Sequence, residues 1–328
     1  MIRNFLVKKV VRNNNFTLVL TLFVVLFVFQ MINKNYLSLG NIRNILNQAF
    51  VMGTLSVGIG CLLICGKADL SSGAIGMMGG LIVTFLLNWG VPWPLAVLIT
   101  LCAGAVMGSL NAFFTNVLNI MPFIATLGVS SVIAGLGQVF TNLQDIPIYN
   151  KSFWVLGSKN FFSTLPLPFL ITMVLLLAYG IILKRTRFGR QIYMTGGNAS
   201  AARLAGINPK KISTILYINS GAIATIAGIL TASRMQTGSP TAVLSYNLDA
   251  ITVGVLGGIS FTGGTGSMSG VFIGILLFNS FKNGLVIAGL DSYYQPVASG
   301  ILLIAALILD FYRERSRLKA LRAHEKLG

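Results

Sequence analysis

The feature that most constrains this chain is a series of apolar runs, each about as long as a membrane is thick. A helix rises about 1.5 Å per residue, so roughly 20 apolar residues cross a hydrocarbon core of about 30 Å. Mean hydropathy is +0.81 and only 9% of the 328 residues are charged. Because soluble domains carry about 25% charged residues, the sequence predicts an all-α polytopic membrane protein.

The apolar runs predict about ten transmembrane helices in a single domain that covers residues 1–328. We place these helices near residues 16–33, 48–66, 73–89, 92–117, 122–142, 166–183, 213–235, 246–261, 268–287 and 293–311. The segment 143–165 is predicted to be an external loop on the membrane surface.

The positive charge is concentrated in three segments outside these runs. Of the 24 Lys and Arg residues, four lie in 1–15, seven in 184–211 and six in 312–328. Basic segments stay on the cytoplasmic side of a membrane. We therefore predict a cytoplasmic N-terminus at 1–15, a cytoplasmic loop at 184–212 and a cytoplasmic tail at 312–328. The same distribution argues against nucleic-acid binding as the reason for the net charge of +17.

Two Gly-rich stretches predict a possible inverted repeat of about five helices. IGMMGG at 75–80 matches VGVLGG at 253–258, and each follows an acidic residue, Asp69 and Asp249. In the predicted topology the two helices run in opposite directions, as in transporters whose pathway lies between inverted repeats. The alternative is a chance match between two apolar, Gly-rich helices.

Residues for catalysis are not apparent. Gly66-Lys67 lacks the Ser or Thr that a phosphate-binding loop requires next, and the single histidine, His324, lies in the basic tail. Residues 146–248 contain no acid at all. The three cysteines, Cys61, Cys65 and Cys102, lie in apolar runs, where thiols usually pack as small apolar groups. We predict that the chain is not an enzyme.

A polar segment interrupts the apolar pattern after the second predicted helix. GKADLSSG at 66–73 holds two charges and two hydroxyls, and a charge at the membrane centre costs about 2.5–3.5 kcal/mol. Such groups belong in a break between helices or on a solute pathway. The candidates for either role are Asp69, Ser71, Ser72, Thr126 and Asp249.

The stretch GGNASAARLAGINPKK at 196–211 predicts a short surface helix. Asn198 is suited to cap a helix over 199–205, Gly206 to close it, and Pro209 prevents its continuation. Two turns are not stable alone in water, so the helix must pack against something. The alternative is a solvated connecting loop.

Several segments, in this order along the chain, resemble the permeases of bacterial monosaccharide ABC transporters of the ribose, xylose, galactose and arabinose type. They are DLSSG at 69–73, PFIATLG at 122–128, RFGRQIY at 187–193, GGN at 196–198, AARLAGI at 201–207, and LDAI at 248–251 followed by Gly257-Gly258, Gly263-Gly264 and Gly270. The resemblance covers roughly residues 45 to 311. One departure is Gly66-Lys67-Ala68, where the family usually has Gly-Gly-Ile or similar.

The resemblance implies that the insert is a coupling loop, docked in a cytoplasmic ATP-binding subunit. The residues it assigns to this contact are Asn198, Ala201, Ala202, Arg203, Leu204, Gly206 and Ile207. It further implies a homodimer of permeases in the bacterial cytoplasmic (inner) membrane, supplied by an extracytoplasmic sugar-binding protein. ATP and magnesium would sit on the ATPase, and this chain would carry no cofactor or metal.

The expected function is therefore import of a pentose or hexose, driven by ATP hydrolysis and dependent on a binding protein, through alternating access. Two alternatives stay open at the level of the sequence. One is a stand-alone ion-coupled transporter, which would rely on the intramembrane acids Asp69 and Asp249. The other is an ABC permease for a solute that is not a sugar, such as a nucleoside.

Overall fold

The computed structural model of the chain describes residues 14–161, 164–291 and 293–325. Within these ranges the helices are α1 (Asn14–Ile32), α2 (Leu39–Ile64), α3 (Ser72–Asn88), α4 (Trp93–Ala112, continued by a π-helical turn at Phe113–Val117), α5 (Pro122–Thr141), α6 (Lys151–Ser158), α7 (Leu167–Arg185), α8 (Arg187–Gly197), α9 (Ala199–Leu204), α10 (Pro209–Met235), α11 (Tyr246–Leu256), α12 (Met268–Ile287) and α13 (Tyr294–Glu325). Four two-residue strands form two antiparallel pairs: β1 (Ile146–Pro147) with β4 (Thr237–Gly238), and β2 (Asn160–Phe161) with β3 (Leu165–Pro166). Most of the predicted N-terminal segment, 1–15, and the last three residues of the predicted tail lie outside the described residues.

The helices confirm the predicted all-α polytopic class. In the described part of the chain, seven helices are long and apolar enough to cross a membrane: α2, α4 with its π-helical turn, α5, α7, α10, α12 and the Tyr294–Tyr312 part of α13. Two shorter apolar helices, Phe16–Ile32 and Ser72–Asn88, add to these. The count of about ten spans stays a prediction.

The ends of the helices define two opposite faces of the molecule. On one, here called the basic face, Gly264 N donates to Ile64 O at 2.8 Å and the Asp310 carboxylate accepts from Phe261 N at 3.0 Å. On the other, the opposite face, β1 pairs with β4 and the Asn33 side chain donates to Ile287 O at 3.4 Å. The start of α1, the α8–α9 segment and the far part of α13 therefore share the basic face.

Helix α10 is the centre of the fold and packs against α2, α3 and α4. Small residues allow the backbones to approach closely, as is usual for membrane helices. A Cβ added at Gly228 would lie 1.7 Å from Gly76 O on α3, and one at Gly221 would lie 2.2 Å from Gly104 O on α4. Glycine at these positions is what sets the spacing of the three helices.

Two segments enter the protein without helical structure and become helical only inside it. Helix α3 has 17 residues and α11 has 11, and α11 at about 1.5 Å per residue covers only half a hydrocarbon core. The predicted helix at 246–261 is therefore too long. It ends at Leu256 because the chain turns at Gly258, whose φ is +87°.

The predicted start of the second helix, near residue 48, is also wrong. Helix α2 begins at Leu39, where Ser38 caps it by accepting from Asn41 N. The Asn41 side chain donates to Asn283 Oδ1 on α12 at 2.8 Å. The first turns of α2 are polar, so the sequence did not predict them as part of a membrane helix. In the fold, hydrogen bonds to α12 satisfy polar side chains of these turns.

The segment predicted as a surface loop, 143–165, contains helix α6. Asn150 caps this helix by accepting from Phe153 N at 3.3 Å. Phe153 is fully buried, and Trp154 Nε1 donates to Ile148 O at 3.1 Å. Packing of these aromatic rings against the body fixes the segment on the opposite face.

We expect Gly228→Ala to lower the stability of the protein, because the added Cβ collides with the backbone of α3. Overpacking of this kind costs about 1–3 kcal/mol. Thermal unfolding of the purified protein in detergent measures the change. Gly128→Ala on α5 is the matched control, since nothing lies within 4 Å of a Cβ added there. Equal unfolding temperatures for the two variants would contradict the packing described for α3 and α10.

Candidate functional site

The predicted surface helix exists as α9. The Asn198 side chain accepts from the backbone N of Ser200 and of Ala201, both at 3.0 Å, so Asn198 is the N-cap. The helix ends at Leu204, one residue earlier than expected, and Gly206 follows with a φ of +78°. Pro209 is the first residue of α10. Cap, closing glycine and proline hold the roles that the sequence predicts.

The structure divides the seven residues predicted to contact an ATPase into an exposed set and an inward-facing pair. Leu204 is 92% exposed, the highest value among the large apolar side chains of the described residues. Ala202 is fully buried, and Ile207 is partly buried against the hydrophobic core. These two side chains face their own chain, and their contact with a partner stays a prediction. The exposed set is Asn198, Ala201, Arg203, Leu204 and Gly206.

Helix α8 was not predicted from the sequence. It connects α9 to the membrane body. A Cβ added at Gly196 would lie 1.8 Å from Ile64 O, so the helix end touches the end of α2. The Tyr193 hydroxyl donates to Gly266 O at 2.8 Å, and burial raises the pKa of Tyr193, which keeps the hydroxyl protonated. The four-residue spacing of Phe188 and Ile192, both on the core side, is the signal that predicts this helix.

Helices α3 and α11 meet at their N-terminal ends inside the protein. Gly73 N, in the first turn of α3, donates to Asn247 Oδ1, in the first turn of α11. The Asn247 amide in turn donates to Leu70 O. We call this contact the helix junction. Asn247 was not among the predicted site residues, although it lies two positions before Asp249 in an otherwise apolar stretch.

Asp69 lies beside the helix junction and is fully buried. One carboxylate oxygen accepts from Ser71 N at 2.8 Å and from Ser71 Oγ at 2.7 Å. The other accepts from Ser72 Oγ at 2.7 Å and from Ser220 Oγ on α10 at 2.9 Å. A buried carboxylate is tolerated only when it is hydrogen-bonded in this way. Of the two roles predicted for Asp69, the geometry favours stabilising the broken helix.

Ser71 and Thr126 extend the same network to two further helices. The Asn111 amide on α4 donates to Ser71 Oγ at 2.6 Å. Thr126 Oγ1 on α5 accepts from Leu70 N at 3.1 Å and donates to Pro122 O at 2.8 Å. Ser71, Ser72 and Thr126 are all buried, so none of these candidates faces an open surface.

Asp249 belongs to a different site from Asp69. It forms an ion pair with Lys282 on α12, with 2.9 Å between Oδ2 and Nζ. Both side chains line a cavity of about 340 Å³ between α11, α12 and α13, together with Tyr246 and Gln295. The sequence did not connect Lys282 with Asp249, because 33 residues separate them and no local pattern relates them.

A larger cavity, of about 500 Å³, lies between α2, the end of α10 and the chain that leads into α11. We call it the Arg234 cavity. Its polar side chains are Thr231, Arg234, Ser239, Thr241 and Tyr246. Arg234 was not predicted to be functional, because a single cation near the end of a transmembrane helix is common where the helix meets the membrane surface.

The protein-family comparison identifies the class of this protein. Residues 41–307 match the family described as "Branched-chain amino acid transport system / permease component". The chain belongs to this permease family. No solved structure is a significant match.

Named relatives of this permease match over most of their length. The ribose import permease protein of Bacillus subtilis (strain 168) is 34% identical over 293 residues, which are 89% of this chain and 91% of the relative. The ribose import permease protein of Escherichia coli (strain K12) is 32% identical over 294 residues, 89% of this chain and 92% of the relative. The L-arabinose transport system permease protein of the same strain is 32% identical over 299 residues, 91% of each. The predicted family is confirmed: the permease is a multi-pass membrane transport subunit and not an enzyme.

We expect Asp69→Asn to destabilise the permease, because an amide keeps one acceptor oxygen where the carboxylate has two, and it replaces charge-assisted hydrogen bonds with weaker neutral ones. Leaving buried partners unsatisfied costs about 1–3 kcal/mol, and more for charged groups. Thermal unfolding in detergent is the measurement. Asp145→Asn is the matched control, since Asp145 is exposed on the opposite face. An unchanged unfolding temperature for Asp69→Asn would show that the carboxylate does not stabilise the helix break.

Proposed function

We propose that this permease is the transmembrane subunit of an ATP-driven, binding-protein-dependent importer for a pentose or hexose. The observation that carries the proposal is the match, over about nine-tenths of each chain, to permeases named for ribose and L-arabinose. The family description names branched-chain amino acids instead. We favour a sugar because the polar side chains in the two cavities, which are also lined by apolar residues, are hydroxyl, amide and charged groups, and these suit a polyhydroxylated solute.

In this proposal the basic face is cytoplasmic. The α8–α9 segment and the far part of α13 share this face, and they contain two of the three basic clusters. The rule that basic segments stay inside supports this orientation. The opposite face, with α6 and the strand pairs, then receives the solute from an extracytoplasmic binding protein. The membrane is the bacterial inner membrane, and the whole of 1–328 forms one permease domain.

Helix α9 is the proposed contact with a cytoplasmic ATPase. Leu204 is the most exposed large apolar side chain of the described residues, and a partner that covers it would gain free energy by removing its apolar surface from water. Helix α9 directly follows α8, and α8 contacts Ile64 and Gly266. Through α8, the proposed contact is connected to the membrane body. ATP and magnesium would bind to the ATPase, and two permeases would form a homodimer around the pathway.

A stand-alone ion-coupled transporter is the alternative from a different class. Such transporters depend on intramembrane acids that can bind a coupling ion. Here all the hydrogen bonds of Asp69 are with its own chain, and Asp249 is paired with Lys282. With both carboxylates already engaged, ATP-driven transport is the better account of this permease. Transport of a nucleoside or another solute that is not a sugar is the remaining alternative.

We expect solute uptake only with all three components: permease, ATPase and binding protein. The test is uptake of radiolabelled D-ribose, L-arabinose, D-xylose and D-galactose into proteoliposomes with ATP, with a nucleoside and leucine as comparison solutes. Uptake of at least one sugar that ATP removal abolishes supports the proposal. Uptake driven by a proton or sodium gradient without the ATPase would favour the ion-coupled alternative. ATP-dependent uptake of the nucleoside or leucine alone would overturn the choice of a sugar.

We expect Leu204→Asp to uncouple transport from ATP hydrolysis or to detach the ATPase. A carboxylate would have to be buried unpaired in an apolar cleft, which costs several kcal/mol. Arg203→Ala is the milder neighbouring variant, since an exposed ion pair contributes only about 0–1 kcal/mol. The measurements are ATPase co-purification, ATP hydrolysis stimulated by the sugar-loaded binding protein, and uptake.

Folding of the Leu204→Asp permease is checked by its unfolding temperature, which should match that of the unchanged protein because the side chain is exposed in the isolated permease. Normal co-purification together with normal stimulated hydrolysis in this variant would show that α9 is only a connection between α8 and α10.

A further inference from the structure

The Arg234 cavity lies on the route from the opposite face to the helix junction. Arg234 is near the end of α10, three residues before Thr237, where β4 begins to pair with β1 on that face. The non-helical chain that follows β4 passes Ser239 and Thr241 in the cavity wall. It then reaches Val243 and Leu244, whose carbonyl oxygens lie next to Gly73 at the start of α3. The cavity therefore lies between the opposite face and the point where α3 and α11 meet.

The guanidinium of Arg234 is exposed toward the cavity, contacts α2 at two points and has most of its donors free. Arg234 donates to Asn47 O at 2.6 Å, and its guanidinium carbon lies 5.9 Å from the centre of the Phe50 ring. Within the described residues this is the only hydrogen bond that the side chain makes, although arginine has five N–H donors in a fixed plane. A cation fixed on an aromatic ring with unused donors is oriented to bind acceptor oxygens.

The cavity wall carries no opposing charge. None of the described residues that line it is acidic. Its other polar groups are the hydroxyls of Thr231, Ser239, Thr241 and Tyr246. A lining of this kind offers hydrogen bonds to hydroxyl-rich solutes and repels cations. Its volume of about 500 Å³ is within the range of small-molecule sites, about 300–1,000 Å³.

We propose that the Arg234 cavity is a solute-binding position of the permease, where Arg234 donates to neighbouring hydroxyl oxygens of an uncharged monosaccharide. The choice of a monosaccharide rests on the proposed function. The binding position itself rests on the fixed guanidinium, the hydroxyls and the absence of acid among the described lining residues. Thr231, Ser239 and Thr241 complete the contact on the side toward the helix junction.

The test uses a thiol placed in the cavity wall. Ala242→Cys is introduced into the full-length permease, because Ala242 lines the cavity and contributes no polar group to the proposed contact. Cys102→Ser is added, because Cys102 is exposed whereas Cys61 and Cys65 are buried. The permease is assembled with its ATPase in proteoliposomes. The rate of modification by an anionic and by a cationic methanethiosulfonate is measured with Arg234 present and in the Arg234→Gln variant. The same rates are measured with millimolar amounts of the sugar that the assembled importer takes up.

With Arg234 present we expect the sugar to slow modification of the introduced thiol, and Arg234→Gln to weaken this protection roughly tenfold, because charge-assisted hydrogen bonds to the sugar are lost. The anionic reagent should also lose its advantage over the cationic one. Arg234→Lys keeps the charge but not the planar arrangement of donors, so it should keep the reagent preference and lose protection. Lys151→Gln is the matched control, because it removes a cation from the same face outside the cavity and should change neither rate.

Absence of protection in a permease whose importer takes up the sugar would overturn the binding position and leave the proposed function intact. Equal protection with Arg234 and with Arg234→Gln would overturn the role of Arg234. Failure of the importer to take up any sugar, with protection still given by one of the four sugars, would overturn the proposed function and support the site. Unfolding temperatures of the variants, compared with the unchanged permease, show whether Arg234→Gln acts through loss of the contact with Asn47 instead.

Discussion

The helix junction is the contact on which the rest of this permease depends. A chain that leaves helical structure inside a membrane must satisfy its free backbone groups within the protein, because lipid cannot. Here Asn247 binds the backbone of both Leu70 and Gly73, and Asp69 accepts four hydrogen bonds from Ser71, Ser72 and Ser220. With those groups satisfied, α3 and α11 can start in the interior and run to opposite faces. That arrangement leaves non-helical chain beside α10, and the Arg234 cavity lies next to it.

The junction also needs a central helix that tolerates close approach. Gly221 and Gly228 on α10 lie against backbone atoms of α4 and α3, and Ser220 on the same helix reaches Asp69. Helix α10 thus contacts both the non-helical segment between α2 and α3 and the helices that surround that segment. Its first residue, Pro209, comes five residues after the end of α9. In the proposed function, a force applied at Leu204 would reach the junction through continuous structure, which is the physical requirement for coupling a surface contact to a membrane pathway.

Among the candidate site residues, the sequence predicted what local chemistry decides. Asn198, Gly206 and Pro209 are specified by capping rules that involve only neighbouring residues, and the structure has them in those roles. The sequence also singled out Asp69, because a charge in an apolar region needs partners nearby. It did not identify Ser220, Asn247, Lys282 or Arg234. Their partners lie between 33 and 187 residues away along the chain, and no periodic pattern links positions so distant.

The sequence by itself determined that this is an all-α membrane protein with a short capped helix in its basic insert, and its ordered motifs indicated the permease family. Hydropathy and capping are properties of consecutive residues, so they can be read without a fold. Only the tertiary structure decided that α11 stops at Leu256, that Ala202 and Ile207 turn inward while Leu204 faces out, and that the two predicted acids lie in separate sites. Each of these depends on which helices pack together, and that choice is made by contacts between residues far apart in the chain.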